Sequence, residues 1–217
     1  MIQQRTRDEI VAMIAQDIPD GAYVNLGIGL PTKVAKFLPS DKEIILHSEN
    51  GVLAFGPPPT PEQEDPDLVN AGKELVTLLD GGCFMHHADS FDIMRGGHLD
   101  ICVLGAFQVA MNGDLANWHT GNALAVPAVG GAMDLAVGAK CIYVCMEHNT
   151  KEGKAKIVEQ LSYPITGQQC VNRIYTDLCI IELKNGQAQV IEMVNGLSFE
   201  QLQQRTDCPL IDARHTS

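Results

Sequence analysis

The chain is poor in basic side chains, with 15 lysines and arginines against 27 aspartates and glutamates in 217 residues, a net charge of −12. Nucleic acids and anionic membrane surfaces attract positive charge, so neither is an expected partner. No apolar run approaches the roughly 20 residues of a membrane-spanning helix. The segment Met1–Arg5 also lacks the apolar stretch of a secretory signal. We therefore expect a cytoplasmic protein without nucleic-acid or membrane partners.

Metal-binding patterns are also missing. The seven cysteines are scattered, with no C-x-x-C pair and no zinc spacing. Their odd number and their frequent position in apolar runs are typical of reduced thiols in the cytosol. His86 and His87 are adjacent, but neighbours in an extended segment point to opposite faces, and no third ligand has a recognisable spacing. We expect no metal site.

The beginning of the chain predicts alternating helices and strands. Thr6 and Glu9 have capping-box spacing, and isoleucines follow at four-residue intervals, which predicts a helix over Arg7–Asp17. A strand over Tyr23–Leu26, a helix beginning near Pro31 and a strand over Glu43–Leu46 then form a βαβ unit. Such a unit predicts a largely parallel sheet.

The rest of the chain continues this alternation. We expect buried strands over Leu75–Leu79, Ile101–Leu104 and Cys141–Met146, and a short helix, Phe91–Arg95, capped by Ser90. Asn185-Gly186 between two apolar segments predicts a C-terminal β-hairpin. The length is suitable for one large domain, so residues 1–217 are interpreted as a single α/β domain with an open, largely parallel sheet flanked by helices.

Glu49 is the strongest candidate for a chemical role. It lies in the polar turn Ser48–Gly51, directly after a predicted strand, where open α/β sheets place their ligand sites. A glutamate with an ordinary pKa of about 4.3 is ionised at neutral pH, so it can act as a nucleophile without a partner base. The alternative is a solvent-facing glutamate, since this side chain is seldom fully buried.

Two glycine turns could contact a ligand. Gly27 and Gly29 follow the first strand, but the third small residue of a dinucleotide fingerprint is missing, which makes NAD a weak prediction. The turn can still present backbone N–H groups to an anion, or serve only as a tight turn. Gly130-Gly131 can approach a ligand closely and offer N–H donors to a reacting carbonyl oxygen, or form a simple turn before a helix.

Four ordered motifs resemble one family. They are Ser48–Gly51, Arg95–Asp100, Gly113–Trp118 and Gly130–Leu135, and the similarity extends over residues 8–210. On these residues the sequence resembles the β (B) subunit of the family I CoA-transferases. Phe84–Phe91, Asn117–Gly121 and Arg173–Leu178 are most similar to the members that act on 3-oxoadipate. Ala54 departs from the pattern, because relatives often carry glycine there.

The resemblance implies a catalytic mechanism and a partner. Glu49 would be the nucleophile in a ping-pong transfer of CoA from succinyl-CoA to 3-oxoadipate through a glutamyl-CoA thioester, in the catabolism of aromatic compounds. CoA would be substrate and covalent intermediate, with no permanently bound cofactor. The implied partner is the A (α) subunit, in an A₂B₂ or AB complex. Alternatives are the same transferase acting on acetoacetate, a CoA-ester hydrolase on this fold, and a non-catalytic partner subunit.

The resemblance also implies the residues that shape the pocket. Those implied to bind substrate or CoA, or to stabilise an oxyanion, are Asn25, Gly27, Gly29, Asn50, Gly51, Gly130 and Gly131. A six-carbon dicarboxylate has a distal carboxylate that needs a donor or a cation in the pocket. His86, His87 and His119 are the candidates for that contact within this chain.

Overall fold

A computed structural model of the chain describes residues 2–121 and 129–214. The helices in these ranges are α1 (Arg7–Asp17), α2 (His87–Arg95), α3 (Ala132–Gly138), α4 (Phe199–Gln203) and a 3₁₀ helix at Leu30–Phe37. The strands are β1 (Tyr23–Leu26), β2 (Ile45–Ser48), β3 (Val52–Phe55), β4 (Leu78–Phe84), β5 (Ile101–Leu104), β6 (Gln108–Ala110), β7 (Leu115–Ala116), β8 (Cys141–Cys145), β9 (Ile157–Val158), β10 (Val171–Tyr175), β11 (Cys179–Lys184), β12 (Gln187–Met193) and β13 (Leu210–Asp212). None of the helices in the described ranges has the length and apolar character needed to cross a membrane.

A ten-stranded sheet forms the centre of the molecule, in the order β13-β12-β11-β10-β8-β5-β1-β2-β3-β4. Its five middle strands, from β10 to β2, are parallel to one another, whereas β3, β4, β11 and β12 pair antiparallel. The predicted largely parallel α/β sheet is thus confirmed. The β11–β12 hairpin is also confirmed, and it turns at Asn185 and Gly186, which both have positive φ.

Apolar layers cover both faces of this sheet, because successive side chains of a strand point to opposite faces. On one face Val103 packs with the buried isoleucines of α1. On the other face Cys102 packs with Met94 of α2 and Leu135 of α3, and with a small second sheet of order β7-β6-β9. The parallel strands in the middle are therefore buried on both sides.

The helix expected near Pro31 is present as a 3₁₀ helix over Leu30–Phe37. Two local predictions were wrong. The strand expected at Leu75–Leu79 begins only at Leu78 and is largely exposed, because it is an edge strand paired with β3 alone. The helix expected from Phe91 begins at His87 and is capped by His86, whose Nδ1 accepts a hydrogen bond from the Ala88 N–H at 3.1 Å.

The parallel strands bring four chain segments to one edge of the sheet. β1, β2, β5 and β8 run in the same direction, so their carboxyl ends at Leu26, Ser48, Leu104 and Cys145 all lie at this edge. Ligand sites of open α/β sheets form at such an edge. Glu49 is the first residue after β2.

Candidate functional site

A cleft of about 540 Å³ opens at the carboxyl edge of the sheet. The segments that follow β1, β5 and β8 line its floor, and Val129–Ala132 line its side. Glu49 lies at the β2 end, while Glu147 and Lys156 lie at the β8 end. The cleft thus extends across the ends of four parallel strands.

The Glu49 carboxylate is half-buried in this cleft and lies against the backbone of Gly131. A Cβ atom at position 131 would collide with a carboxylate oxygen of Glu49 and would lie 3.4 Å from the ring of Phe91. Burial raises the pKa of Glu49, and the charge of Asp134 raises it further, against the opposing effects of His87 and of the Gly131 N–H group. A higher pKa makes the ionised carboxylate a better nucleophile.

Close packing of α2 on α3 fixes the position of Gly131. Gly138 leaves no room for a Cβ atom, which would collide with the Met94 carbonyl oxygen of α2. At the other end of α3, Arg95 donates a hydrogen bond from Nε to Oδ1 of Asp134 at 2.7 Å. The start of α3 is therefore held towards Glu49.

A buried hydrogen-bond network supports the residue before the turn. The Asn25 amide donates to both Nδ1 and the carbonyl oxygen of His47, each at 3.1 Å. The ring therefore carries its proton on Nε2, which donates to the Ser90 hydroxyl at 2.9 Å. Burial lowers the pKa of His47 to about 4, so the ring is neutral at pH 7. This network ties β1, β2 and α2 together directly beneath Glu49.

Residues 7–205 match the protein family described as coenzyme A transferase. The chain belongs to the coenzyme A transferase family. It is 68% identical over 208 residues to the 3-oxoadipate CoA-transferase B subunit of Acinetobacter baylyi, covering 96% of both chains. It is 58% identical over 206 residues to a protein of the same name from Pseudomonas putida, covering 95% of this chain and 96% of the other. The family predicted from the sequence motifs is confirmed.

A solved structure has the same fold. An acyl-CoA transferase apoenzyme of Escherichia coli O157:H7 superposes with a TM-score of 0.73 at 20% identity, covering 97% of this chain. The chain spans 42% of the length of that protein. At this identity the comparison supports the fold alone.

Four of the pocket residues named from the sequence line the cleft at the carboxyl edge of the sheet, which we call the transferase cleft. They are Asn25, Gly27, Gly130 and Gly131. The Gly27 N–H group donates to the Val103 carbonyl oxygen at 2.8 Å, so it is not free for a ligand. Gly131 is the glycine whose N–H group acts on Glu49.

The other three residues of that set lie outside the cleft lining. Gly29 is exposed, with φ of 95°. Asn50 donates to the Val69 carbonyl oxygen at 2.8 Å. Gly51, with φ of 107°, packs against the Met85 carbonyl oxygen, where a side chain would not fit. Asn50 and Gly51 thus shape the turn that carries Glu49.

The three candidate histidines do not line the cleft either. The His86 ring caps α2. His87 stacks edge-on against Phe91 at 4.9 Å between ring centroids and lies near enough to Glu49 to affect its pKa. His119 accepts a hydrogen bond from the Gly121 N–H at 3.1 Å.

Four polar side chains of the cleft were not predicted from the sequence, namely Arg7, Asn117, Glu147 and Lys156. Asn117 donates to the Gly105 carbonyl oxygen at 3.2 Å and accepts from Thr166 at 2.8 Å. Arg7 and Lys156 are the two cations among the described lining residues. Asn117 lies in two of the quoted motifs, Gly113–Trp118 and Asn117–Gly121. Arg7 and Lys156 have no local signal, because only the fold brings them to this edge.

The described residues contain no group of three or more histidine, cysteine or acidic side chains arranged to hold a metal ion. Within the cleft, the Glu49 carboxylate lies beside the Gly131 N–H group.

Proposed function

We propose that this chain is the catalytic subunit of a CoA-transferase that moves CoA from succinyl-CoA to 3-oxoadipate. The observation that carries the proposal is the half-buried Glu49 carboxylate, which faces Gly131 in the cleft of a coenzyme A transferase chain. The names of the two relatives at 68% and 58% identity support 3-oxoadipate as the acceptor.

The first half-reaction loads CoA onto the enzyme. A carboxylate oxygen of Glu49 attacks the thioester carbonyl of succinyl-CoA, so a mixed anhydride forms and CoA leaves as the thiolate. The thiolate then attacks the γ-carbonyl carbon of Glu49, which gives a glutamyl-CoA thioester and releases succinate. The Gly131 N–H group stabilises the negative charge that develops on the glutamyl carbonyl oxygen, and such a donor contributes about 3 kcal/mol.

The second half-reaction is the reverse sequence on the acceptor. A carboxylate of 3-oxoadipate attacks the glutamyl thioester, forms an anhydride and expels the CoA thiolate. The thiolate attacks the acyl carbonyl carbon of this anhydride, so 3-oxoadipyl-CoA leaves and the Glu49 carboxylate returns. The energy of the thioester is conserved throughout, and the cycle fits a step of aromatic-compound catabolism.

The proposal includes an A (α) subunit, in an A₂B₂ or AB complex. The relatives are named as B subunits. CoA is strongly anionic, yet the chain has a net charge of −12 and one of the two cations in the described lining is already paired with Glu147. A second chain would supply the missing positive charge. All seven cysteines are free thiols, in agreement with a cytoplasmic location.

An acceptor screen tests this function. The complex with the A subunit is incubated with succinyl-CoA and either 3-oxoadipate, acetoacetate or water alone. We expect 3-oxoadipyl-CoA to form with the highest kcat/KM, and the separated chain to have little activity. A higher kcat/KM for acetoacetate would make acetoacetate the acceptor, and hydrolysis of succinyl-CoA without an acceptor would indicate a hydrolase. The same assay is run on a complex that carries Glu49→Ala. Full activity of that variant would indicate that this chain is a non-catalytic subunit.

A further inference from the structure

The cleft contains one cation without a partner among the described residues. Arg7 is engaged, because its Nη2 and Nε donate to Oε1 of Glu147 at 2.7 and 3.2 Å. Lys156 lines the same cleft, but no described group lies within hydrogen-bond or ion-pair distance of its ammonium group.

Lys156 is partly buried and its backbone is fixed. The Lys156 carbonyl oxygen accepts from the Val109 N–H at 2.9 Å, and β9 begins at the next residue. Burial lowers the pKa of Lys156, while the charges of Glu147 and Asp177 oppose this effect. A partly desolvated ammonium group gains free energy when an anion pairs with it.

The position of Lys156 relative to Glu49 indicates which anion this is. Glu49 follows β2, and Lys156 lines the cleft beside Cys145–Glu147 at the end of β8. β1 and β5 lie between β2 and β8 in the sheet, so the carboxyl ends of β2 and β8 are three strand spacings apart, roughly 14 Å. Both residues line the cleft, one near each of these ends. An acyl chain that lies along the cleft with its carbonyl carbon at Glu49 has its far end on the side of Lys156.

We propose that the Lys156 ammonium group binds the distal carboxylate of dicarboxylic acyl groups whose reacting carboxyl carbon lies at Glu49. This inference rests on the proposed function and adds the residue that selects the substrate class. Succinyl and 3-oxoadipyl groups have a distal carboxylate, whereas an acetoacetyl group has none. Lys156 thus favours dicarboxylic substrates over monocarboxylic ones.

The test compares acceptors in the complex with the A subunit. In a ping-pong reaction, kcat/KM for an acceptor reports the second half-reaction alone, so the dicarboxylic donor does not obscure the comparison. Lys156→Met keeps the aliphatic chain and removes the charge. We expect kcat/KM for 3-oxoadipate to fall roughly 10- to 100-fold, the cost of losing a hydrogen bond between charged groups. For acetoacetate we expect a change of less than about threefold.

Two variants serve as controls. Lys156→Arg retains the charge and restores most of the preference for 3-oxoadipate. Lys154→Met removes an exposed lysine two positions earlier and leaves both acceptors unaffected. If Lys156→Met does not assemble with the A subunit, kcat/KM for the two acceptors is compared in Lys156→Gln, which is polar but uncharged.

The outcomes separate this inference from the proposed function. Equal losses for both acceptors in Lys156→Met would show that Lys156 binds CoA or supports the fold, and unchanged rates for both would show that it binds neither. Either result overturns the inference and leaves the function intact. If the wild-type complex transfers no CoA to any acid, the proposed function itself fails.

Discussion

Gly131 is the residue on which the geometry around Glu49 depends most. Gly131→Ala places a methyl group where a carboxylate oxygen of Glu49 lies, so the carboxylate must move. A displacement of about 1 Å costs on the order of a hundredfold in rate, and we expect a loss of that size in kcat of the complex. Gly105→Ala is the matched control, because Gly105 also lines the cleft and an added Cβ meets no atom within 4 Å. Equal activity of the two variants would contradict this geometry.

Ala54 occupies a conformation that suits glycine. Its φ is 57°, in the left-handed region, at the register shift between β3 and β4. The strain of about 1–2 kcal/mol exceeds the entropic cost of a glycine. We therefore expect Ala54→Gly to raise the free energy of unfolding by about 0.5 to 1 kcal/mol in urea titrations. Ala12→Gly, in the middle of α1, should lower the free energy of unfolding by a similar amount. If both variants are less stable than the wild type, strain at Ala54 is not the explanation.

The residues found from the sequence are those with local signals. Glu49 became a candidate because it follows a short strand in a polar turn, and the resemblance of Ser48–Gly51 to the family motif favoured it over a solvent-facing glutamate. His47 escaped prediction, because its hydrogen-bond partners Asn25 and Ser90 lie 22 and 43 positions away. Its burial and its lowered pKa arise only when β1, β2 and α2 assemble.

At the scale of elements, the contact between α2 and α3 controls where the first turn of α3 lies. Gly138→Ala introduces a methyl group against the Met94 carbonyl oxygen, which forces the two helices apart. We expect a loss of about 1–3 kcal/mol in the free energy of unfolding, as in other overpacked contacts. The start of α3 should also move away from Glu49 and lower kcat.

Val137→Ala is the control in the same helix, because Val137 is 78% exposed and its truncation removes little packing. Urea titration and kcat of the complex are measured for both variants. If Gly138→Ala has wild-type stability and activity, the close approach of the two helices does not hold.

A helix or strand could be predicted where the residues that determine it lie close together in the sequence. α1 was predicted to the residue, because a capping box marks its start and the isoleucines repeat at helical spacing. β4 was misplaced, because its register and its exposure depend on pairing with β3. The small sheet of β6, β7 and β9 was not predicted, since strands of two or three residues leave too short a pattern.

At the scale of the whole molecule, two buried histidines predict an acid-sensitive stability. Burial lowers the pKa of both His47 and His148 to about 4, from an ordinary value of 6.5. The unfolded chain therefore binds more protons than the folded chain between these values, and stability falls as pH falls from 6.5 towards 4. We expect each histidine to reduce the free energy of unfolding by about 2 kcal/mol between pH 7.5 and 5.0.

Urea titrations at the two pH values measure this difference. In His148→Gln the difference in the free energy of unfolding between the two pH values should be about half as large, because one of the two buried imidazoles is removed. His98→Gln replaces an exposed histidine and should leave it unchanged. The same pH dependence in His148→Gln and in the wild type would rule out the burial effect.

The central claim is that Glu49 forms the covalent intermediate, and trapping that intermediate tests it most directly. The complex is incubated with succinyl-CoA in the absence of acceptor, treated with hydroxylamine or borohydride, digested and analysed by peptide mass spectrometry. We predict one modified glutamate, Glu49. Glu49→Gln should show no modification and no transfer, with folding and assembly intact. Glu49→Asp, which withdraws the carboxylate by about one bond length, should be impaired about a hundredfold. Modification of another glutamate, such as Glu43 or Glu147, or none during active exchange, would contradict the account.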